Sequence, residues 1–243
     1  ISAVRNGRDS LDILYKSHPL GLFPGIAALT ASTSVEEMFD VVLVDSPIGQ
    51  FFTNASQRDF DELSLEYIRG VLQKNYLEAF YDFVMSLGGE TATVMGRVLE
   101  FEADRLVVTV AANTCGIADL LAEDRKKLFP DFGSLVAIQD ELSTADSVQQ
   151  LADRLKHGGF AEYGDLFGDG SEGRGDGKQK SVERKFSEWA VEVYKDAMTR
   201  QFQYGVFYGW VKLRELEVQN LLWIAECITQ QVKTEIHSYV NIV

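Results

Sequence analysis

Glu100, Glu102 and Asp104, three carboxylates within five residues of one predicted helix, are the cluster in this chain that could do chemistry. On a helix, Glu100 and Asp104 are four residues apart and share a face, the spacing at which paired carboxylates hold a metal or divide acid and base roles. No histidine stands at helical spacing beside them, so the favoured reading is a polar face, solvated or paired with arginine. A metal-dependent helical enzyme using the three carboxylates is the alternative. Gly168-x-Gly170-x-x-Gly173 spells the dinucleotide fingerprint, but it lacks a strand leading in and a helix leading out, and it reads as a linker. Asp165, Asp169, Gly170 and Asp176 fall at positions one, five, six and twelve of a calcium loop. Phe167 occupies a ligand place there, and an aspartate stands where a bidentate glutamate belongs, so calcium binding is not expected.

His18, His157 and His237 are scattered and read as surface or loop residues. Cys115 and Cys227 are too few for a disulfide framework and lack metal-ligand spacing, which favours a reducing, cytosolic setting. Asn54-Ala55-Ser56 is a glycosylation sequon in form only, because it matters only in a secreted protein. No Walker loop, Gly-x-Ser-x-Gly elbow or Cys-His nucleophile pair is found. No catalytic, cofactor-binding or metal-ligating residue is therefore assigned, and no cofactor is expected.

The elements that would position these residues are helices. From Glu62 to Leu87, the residues Leu65, Ile68, Leu72, Tyr76, Phe80, Phe83 and Leu87 recur three or four apart and predict one buried stripe. Gly88-Gly89 stops that helix. A second helix follows, ending by Gly116, with Met95, Val98, Leu99, Ala103, Leu106, Val107 and Val110 as its apolar face and Glu100, Glu102, Asp104 and Arg105 as its polar face. Val41 to Val44 and Val107 to Val110 are assigned to buried helix ends rather than strands. Ile117 to Phe132 reads as a short helix stopped before Pro130, and Ser147 as a helix N-cap. Asp165 to Lys180 is nearly free of apolar groups and is expected to be a mobile loop. Beyond it, Phe186, Trp189, Val193, Tyr194 and Ala197 mark one amphipathic helix, and Leu213, Leu216, Asn220, Trp223, Ile224 and Ile228 another. Gly205 and Gly209 are expected to bend the connection between them. The aromatic segment Phe202, Tyr204, Phe207, Tyr208 and Trp210 favours core packing over partner contact.

The blocks suggest a weak internal repeat, a short helix before a loop and two long helices. Ser34-Val35-Glu36-Glu37-Met38 matches Ser147-Val148-Gln149-Gln150-Leu151, and the Glu102-x-Asp104 step sits opposite Glu215-x-Glu217.

With 243 residues, 46% hydrophobic and 25% charged, the chain has enough apolar mass for a substantial core. The net charge of −14, from 37 acidic against 23 basic residues, argues against nucleic acid and anionic lipid and favours basic partners. No apolar run reaches the ~20 residues needed to cross a bilayer. Ile1 to Arg8 lacks an initiator Met and a signal pattern, and the start reads as a truncation of a longer chain.

Gln201 to Ile228, QFQYGVFYGWVKLRELEVQNLLWIAECI, resembles the closing helices of the d subunit family of vacuolar-type proton-pumping ATPases, the family of the archaeal-type C subunit. Ser17-His18-Pro19-Leu20-Gly21, LVDSPIGQFF from Leu43, YLEAFYDF from Tyr76, LEFEADR from Leu99 and EDRKKLFP from Glu123 resemble that family in the same order. The resemblance implies an all-α, funnel-shaped protein of three related helical bundles, of which two are present. Residues 1–30 would be the end of the preceding repeat and a linker, 31–116 the second repeat, and 117–243 the third with its loop at 165–180. It implies a non-catalytic adaptor, peripheral to the cytosolic face of vacuolar or other endomembranes and without a transmembrane span. That adaptor would couple the central stalk subunits D and F to the proteolipid ring, with subunit a as a further candidate neighbour. A helical-repeat scaffold unrelated to the pump remains the alternative from another class.

Overall fold

A computed structural model describes residues 49–52, 65–117, 120–167, 176–232 and 239–242, together with residues 28, 37 and 236. Among the described residues every regular element is helical. In chain order these are a 3-10 turn at Gly49–Phe52, α1 (Leu65–Leu87), α2 (Gly89–Thr114), α3 (Ala122–Lys126), a 3-10 turn at Ser134–Ile138, α4 (Gln139–Ser143), α5 (Val148–His157), α6 (Ala161–Asp165), α7 (Asp176–Thr199) and α8 (Gly205–Thr229).

The chain divides into two compact units, Ile1–Tyr76 and Leu77–Val243. In the first, the Asn75 amide donates to the Phe51 carbonyl at 2.7 Å, and the Phe51 and Tyr76 rings meet edge to face at 5.6 Å. Ile68 is buried there.

In the second unit α2 is the central strut, because its apolar positions are spread around the helix instead of being confined to one stripe. Val107, Val108 and Ala111 enter a core with Phe129, Leu135, Leu142, Leu151, Leu155 and Phe186. Val94 and Val98 enter another with Ala190, Val191, Tyr194, Ala197 and Leu216. Met95, Leu99 and Leu106 meet Leu77 and Val84 of α1 in a third. The run Val107 to Val110 is helical, as expected from its place in the period.

The predicted stripe of α1 is corrected in the second unit. Leu77 and Val84 are buried, whereas Phe83 and Leu87 are exposed, so the seam is turned by about one residue. Tyr76, in the first unit, is also exposed. Gly88 and Gly89 have φ of 65° and 59°, the left-handed conformation that lets the chain turn sharply between α1 and α2.

The expected helix of residues 117–132 is shorter than the sequence suggested. α3 covers only Ala122–Lys126, and turns carry the chain from there to Pro130. The Ser147 cap is present, its hydroxyl accepting from the Gln150 N–H at 3.2 Å, and the Gln150 side chain returns to accept from the Asp146 N–H at 3.1 Å.

The predicted loop at 165–180 needs correction at both ends: Asp165 closes α6, Leu166 is buried in the core with Phe167 packed against it, and 176–180 already belong to α7. Gln179, Lys178 and Lys180 are straight-chain helix formers, and helix propagation backward from the packed Val182 and Phe186 is favourable. Residues 168–175, and with them the glycine fingerprint and Asp169 and Gly170, lie outside the described residues, as do Asn54 to Ser56, His18, His237 and Val41 to Val44. Of the matched segment Ser34 to Met38, only Glu37 is described.

Of the two glycines expected to bend the α7–α8 connection, only Gly205 adjoins it, at the start of α8, where a Cβ would stand 2.5 Å from Gln203 Oε1. The buried Gln203 amide builds that connection, donating to the carbonyls of Ala197 at 2.7 Å and Arg200 at 3.1 Å and accepting from the Gly205 N–H. Gly209 instead lies inside α8, where a Cβ would come within 2.8 Å of the Tyr194 carbonyl oxygen. It sets how closely α7 and α8 approach. Beyond α8, both ends of the Asn220 amide hold the chain, donating to the Val240 carbonyl at 2.8 Å and accepting from its N–H at 3.0 Å.

Candidate functional site

The three carboxylates of α2 do not converge. Because α2 is surrounded by packed elements, each carboxylate meets a tyrosine from a different one. Glu100 accepts from Tyr81 of α1, Glu102 from Tyr194 of α7, and Asp104 from Tyr163 of α6 at 3.4 Å. Tyr81 is held in place by stacking on Phe132, with ring centroids 4.1 Å apart.

The expected polar face is therefore corrected at Asp104, which is only 2% exposed. Its Oδ1 accepts the Leu135 N–H at 3.0 Å, and Ser134 adds further hydrogen bonds. Among the described residues no arginine pairs with it, and it is closed to solvent. A buried carboxylate must be satisfied in this way, since leaving it unpaired costs several kcal/mol. Burial pushes the Asp104 carboxyl above its ordinary value, with the hydrogen bonds from Leu135, Ser134 and Tyr163 pulling the other way.

Burial followed by the neighbouring carboxylate also pushes the Tyr163 and Tyr194 hydroxyls well above the usual tyrosine range, and Tyr81 shifts in the same direction. All three stay protonated donors near neutral pH. The arrangement fixes helices to one another. Among the described residues no group of three or more His, Cys, Asp or Glu could hold a metal ion.

Two predictions follow from Asp104. Gly133 has φ of 110°, and a Cβ on it would stand 2.8 Å from Asp104 Oδ1. Gly133→Ala is expected to lose about 2–3 kcal/mol of unfolding free energy, from the left-handed backbone and the displaced carboxylate together. A urea midpoint unchanged from the parent chain would contradict this.

The second concerns pH. Because the folded-state pKa of Asp104 lies above the unfolded value, protonation stabilises the fold below the unfolded pKa, and that contribution disappears as pH rises through the folded pKa. Asp104→Asn keeps an oxygen for the Leu135 N–H and removes the titration. Urea unfolding at pH 7 and pH 4.5 should show the variant gaining on the parent at the higher pH. A pH-independent difference would refute the assignment.

The remaining sequence candidates are separate. His157 is exposed at the end of α5, with Nδ1 at 2.6 Å from the Asp153 carbonyl oxygen. Asp165 pairs with Lys156 at 2.8 Å, and Asp176 opens α7. Cys115 and Cys227 are free thiols.

The aromatic segment overturns its core-packing expectation. Phe202 is 98% exposed, Phe207 69%, and Tyr204 and Trp210 are exposed too, while Tyr208 is half-buried. Ile228 is exposed as well, and Cys227 takes the buried place expected for it. On α8 the outward residues Phe207, Val211, Val218, Leu221, Leu222 and Ile228 follow a period near 3.5, opposite the buried Gly209, Leu216 and Cys227. A helix apolar on two opposite faces signals two packing partners, and that signal was legible in the sequence.

Arg125, missed by sequence reading, is 5% exposed, although in EDRKK it looks like one more solvated charge. Its only sequence signal is its position one turn before Leu128 and Phe129, both buried.

Residues 1–239 match the model of the ATP synthase (C/AC39) subunit. The chain belongs to the ATP synthase (C/AC39) subunit family. Within the C/AC39 family it is similar to the V-type proton ATPase subunit d of Neurospora crassa, with 40% identity over 258 residues covering 100% of this chain and 70% of the relative. It is 37% identical over 244 residues to the V-type proton ATPase subunit d of Dictyostelium discoideum, covering 100% of this chain and 67% of that protein. Against the subunit d of Saccharomyces cerevisiae the identity is 32% over 250 residues, covering 100% of this chain and 68% of the relative. Among the described residues no helix is long and apolar enough to cross a membrane.

Proposed function

We propose that this C/AC39 chain is the d-type subunit of a V-type proton ATPase, and that it joins the central rotor stalk to the membrane proteolipid ring without catalysing a reaction itself. The observation that carries this reading is the match along the whole chain to relatives named V-type proton ATPase subunit d. The proposed neighbours are stalk subunits D and F and the proteolipid ring, with subunit a as a further contact. The proposed place is the cytosolic face of an endomembrane.

Physical support comes from stiffness. A torque-bearing adaptor has to resist deformation, and helices close-packed on every side of α2, tied by the three tyrosine-carboxylate bonds, suit that role. The net charge of −14 fits a basic partner and an association that weakens with salt.

The test is a reconstituted pump from which this chain has been withdrawn. ATP-driven acidification of proteoliposomes is expected to be lost and to return when the chain is added back. Proton pumping at normal coupling without it would refute the adaptor reading.

A further inference from the structure

Two turns far apart in the chain close the same end of the second unit. One is Gly88-Gly89, between α1 and α2, and the other is residues 200–204, between α7 and α8. They are tied together. Arg200 pairs with Glu90 at 3.2 Å, the Tyr204 N–H donates to Thr91 Oγ1 at 3.3 Å, and a Cβ on Gly205 would stand 3.2 Å from Val94 Cγ1.

The surface at that end is apolar and uncharged. Phe202 is 98% and Tyr204 66% exposed, and Phe83, Leu87 and Trp210 are exposed in the adjoining turns of α1 and α8. No charged residue occurs at 83–89 or 201–211, although the whole chain carries −14. The charges bordering the turns are paired, Arg200 with Glu90 and, at 3.9 Å, with Asp196.

Phe202 is held outward at a cost. Its φ of 60° is the left-handed conformation, which a bulky residue adopts only where the surroundings impose it. The buried Gln203 amide imposes it here, through its bonds to Ala197, Arg200 and Gly205. A ring so exposed gains nothing from the fold that strains it, so its contact lies outside the chain. The tip is also convex, since a Cβ on Gly88 or Gly89 would meet nothing within 4 Å. A protruding aromatic tip without charge suits a deformable apolar medium, and Tyr and Trp are the side chains that settle at the boundary of one.

We propose that this end of the second unit touches a neutral, zwitterionic lipid surface. Phe202 and Leu87 enter the interface, and Tyr204 and Trp210 lie at headgroup level. An anionic surface is disfavoured, because its negative potential repels a chain of charge −14. With so few apolar anchors the contact is shallow and reversible. The proposal goes beyond the adaptor reading, which requires no lipid contact and is tested by pumping.

The experiment is co-sedimentation of the 243-residue chain with vesicles of phosphatidylcholine alone or mixed with phosphatidylserine. Binding is expected on the neutral vesicles. On the anionic ones it should be at least threefold weaker at low salt and recover as salt screens the repulsion. Phe202→Asn with Tyr204→Ser should lower partitioning at least tenfold. Asparagine tolerates the left-handed backbone, so this variant should keep the parent's urea midpoint. Leu87→Ser, on the other turn, is an independent second variant and should lower partitioning several-fold. Leu221→Ser with Leu222→Ser lies about 24 Å further along α8 and should bind like the parent. The proposal is overturned if neutral vesicles do not take up the chain, if both tip variants partition like the parent, or if anionic vesicles bind tighter at low salt. It is also overturned if the Leu221, Leu222 variant alone loses binding. If vesicles ignore the chain while the tip variants fail to enter the reconstituted pump, the occupant is a protein and the lipid assignment is wrong.

Discussion

Phe186→Ala is expected to lose about 3–5 kcal/mol of unfolding free energy, the usual cost of emptying an aromatic site that cannot collapse. Phe186 is 1% exposed and lies where three aromatic contacts meet. Its ring centroid is 5.7 Å from Trp189, 5.9 Å from Tyr163 and 6.4 Å from Phe101. Phe101 comes from α2, Tyr163 from α6, and Phe186 and Trp189 from α7, so one side chain joins three elements. Edge-to-face pairs add about 0.5–1.5 kcal/mol beyond area burial, which places the change toward the upper end. A domain of ordinary stability has 5–15 kcal/mol in total, so the variant should be at the edge of folding. Phe186→Leu, which retains most of the volume, should lose less than half as much. Urea unfolding followed by tryptophan fluorescence measures both. A loss under about 1 kcal/mol for the alanine variant would mean that the site relaxes and that this junction does not hold the core together.

That junction also shows how far periodicity could be read. Phe186, Tyr194 and Ala197 were expected on the buried face of α7 and are buried there, because an apolar period of 3.6 can be satisfied only by packing. The Gly88-Gly89 stop and the Ser147 cap were legible for a similar reason, since each depends on local backbone chemistry. Asp104 was misread because the sequence shows a charge but not what surrounds it. Its burial depends on Leu135 and Tyr163, 31 and 59 residues further along the chain. Arg125 was missed for the same reason, its hydrogen-bond partners being carbonyls 18 and 20 residues away. The α1 seam was turned because its spacing permits two neighbouring stripes, and only the packing of Met95 and Leu99 against Leu77 and Val84 chooses between them. The exposed face of α8 was lost to a preference for placing aromatics in cores, although that helix carried apolar residues on two faces.

The largest functional effect is expected from that face. Phe207, Leu221 and Leu222 are 69%, 61% and 65% exposed, and with Val211, Val218 and Ile228 they form an apolar seam along α8. Contiguous exposed apolar surface of this kind marks an interface, and its near 3.5 period suits a helix of a neighbouring subunit in the proposed complex. Arg214, which interrupts the seam, stands over the Trp210 ring at 5.6 Å and pairs with Glu217, both side chains staying exposed. The triple variant Phe207→Ser, Leu221→Ser, Leu222→Ser should leave the isolated chain within about 1 kcal/mol of its parent stability, since exposed substitutions usually change little. Removing central anchors from an interface commonly costs more than 2 kcal/mol, and every 1.4 kcal/mol is a factor of about ten in affinity. Incorporation of the triple variant into the reconstituted pump should therefore fall at least tenfold, with acidification falling in parallel. Raising salt should not rescue or mimic the loss, because this contact is apolar, whereas charge-guided contacts weaken as ionic strength rises. If the triple variant assembled and pumped like the parent, the seam would be no interface of the complex. If it unfolded in isolation instead, the seam residues would hold the fold and not a partner.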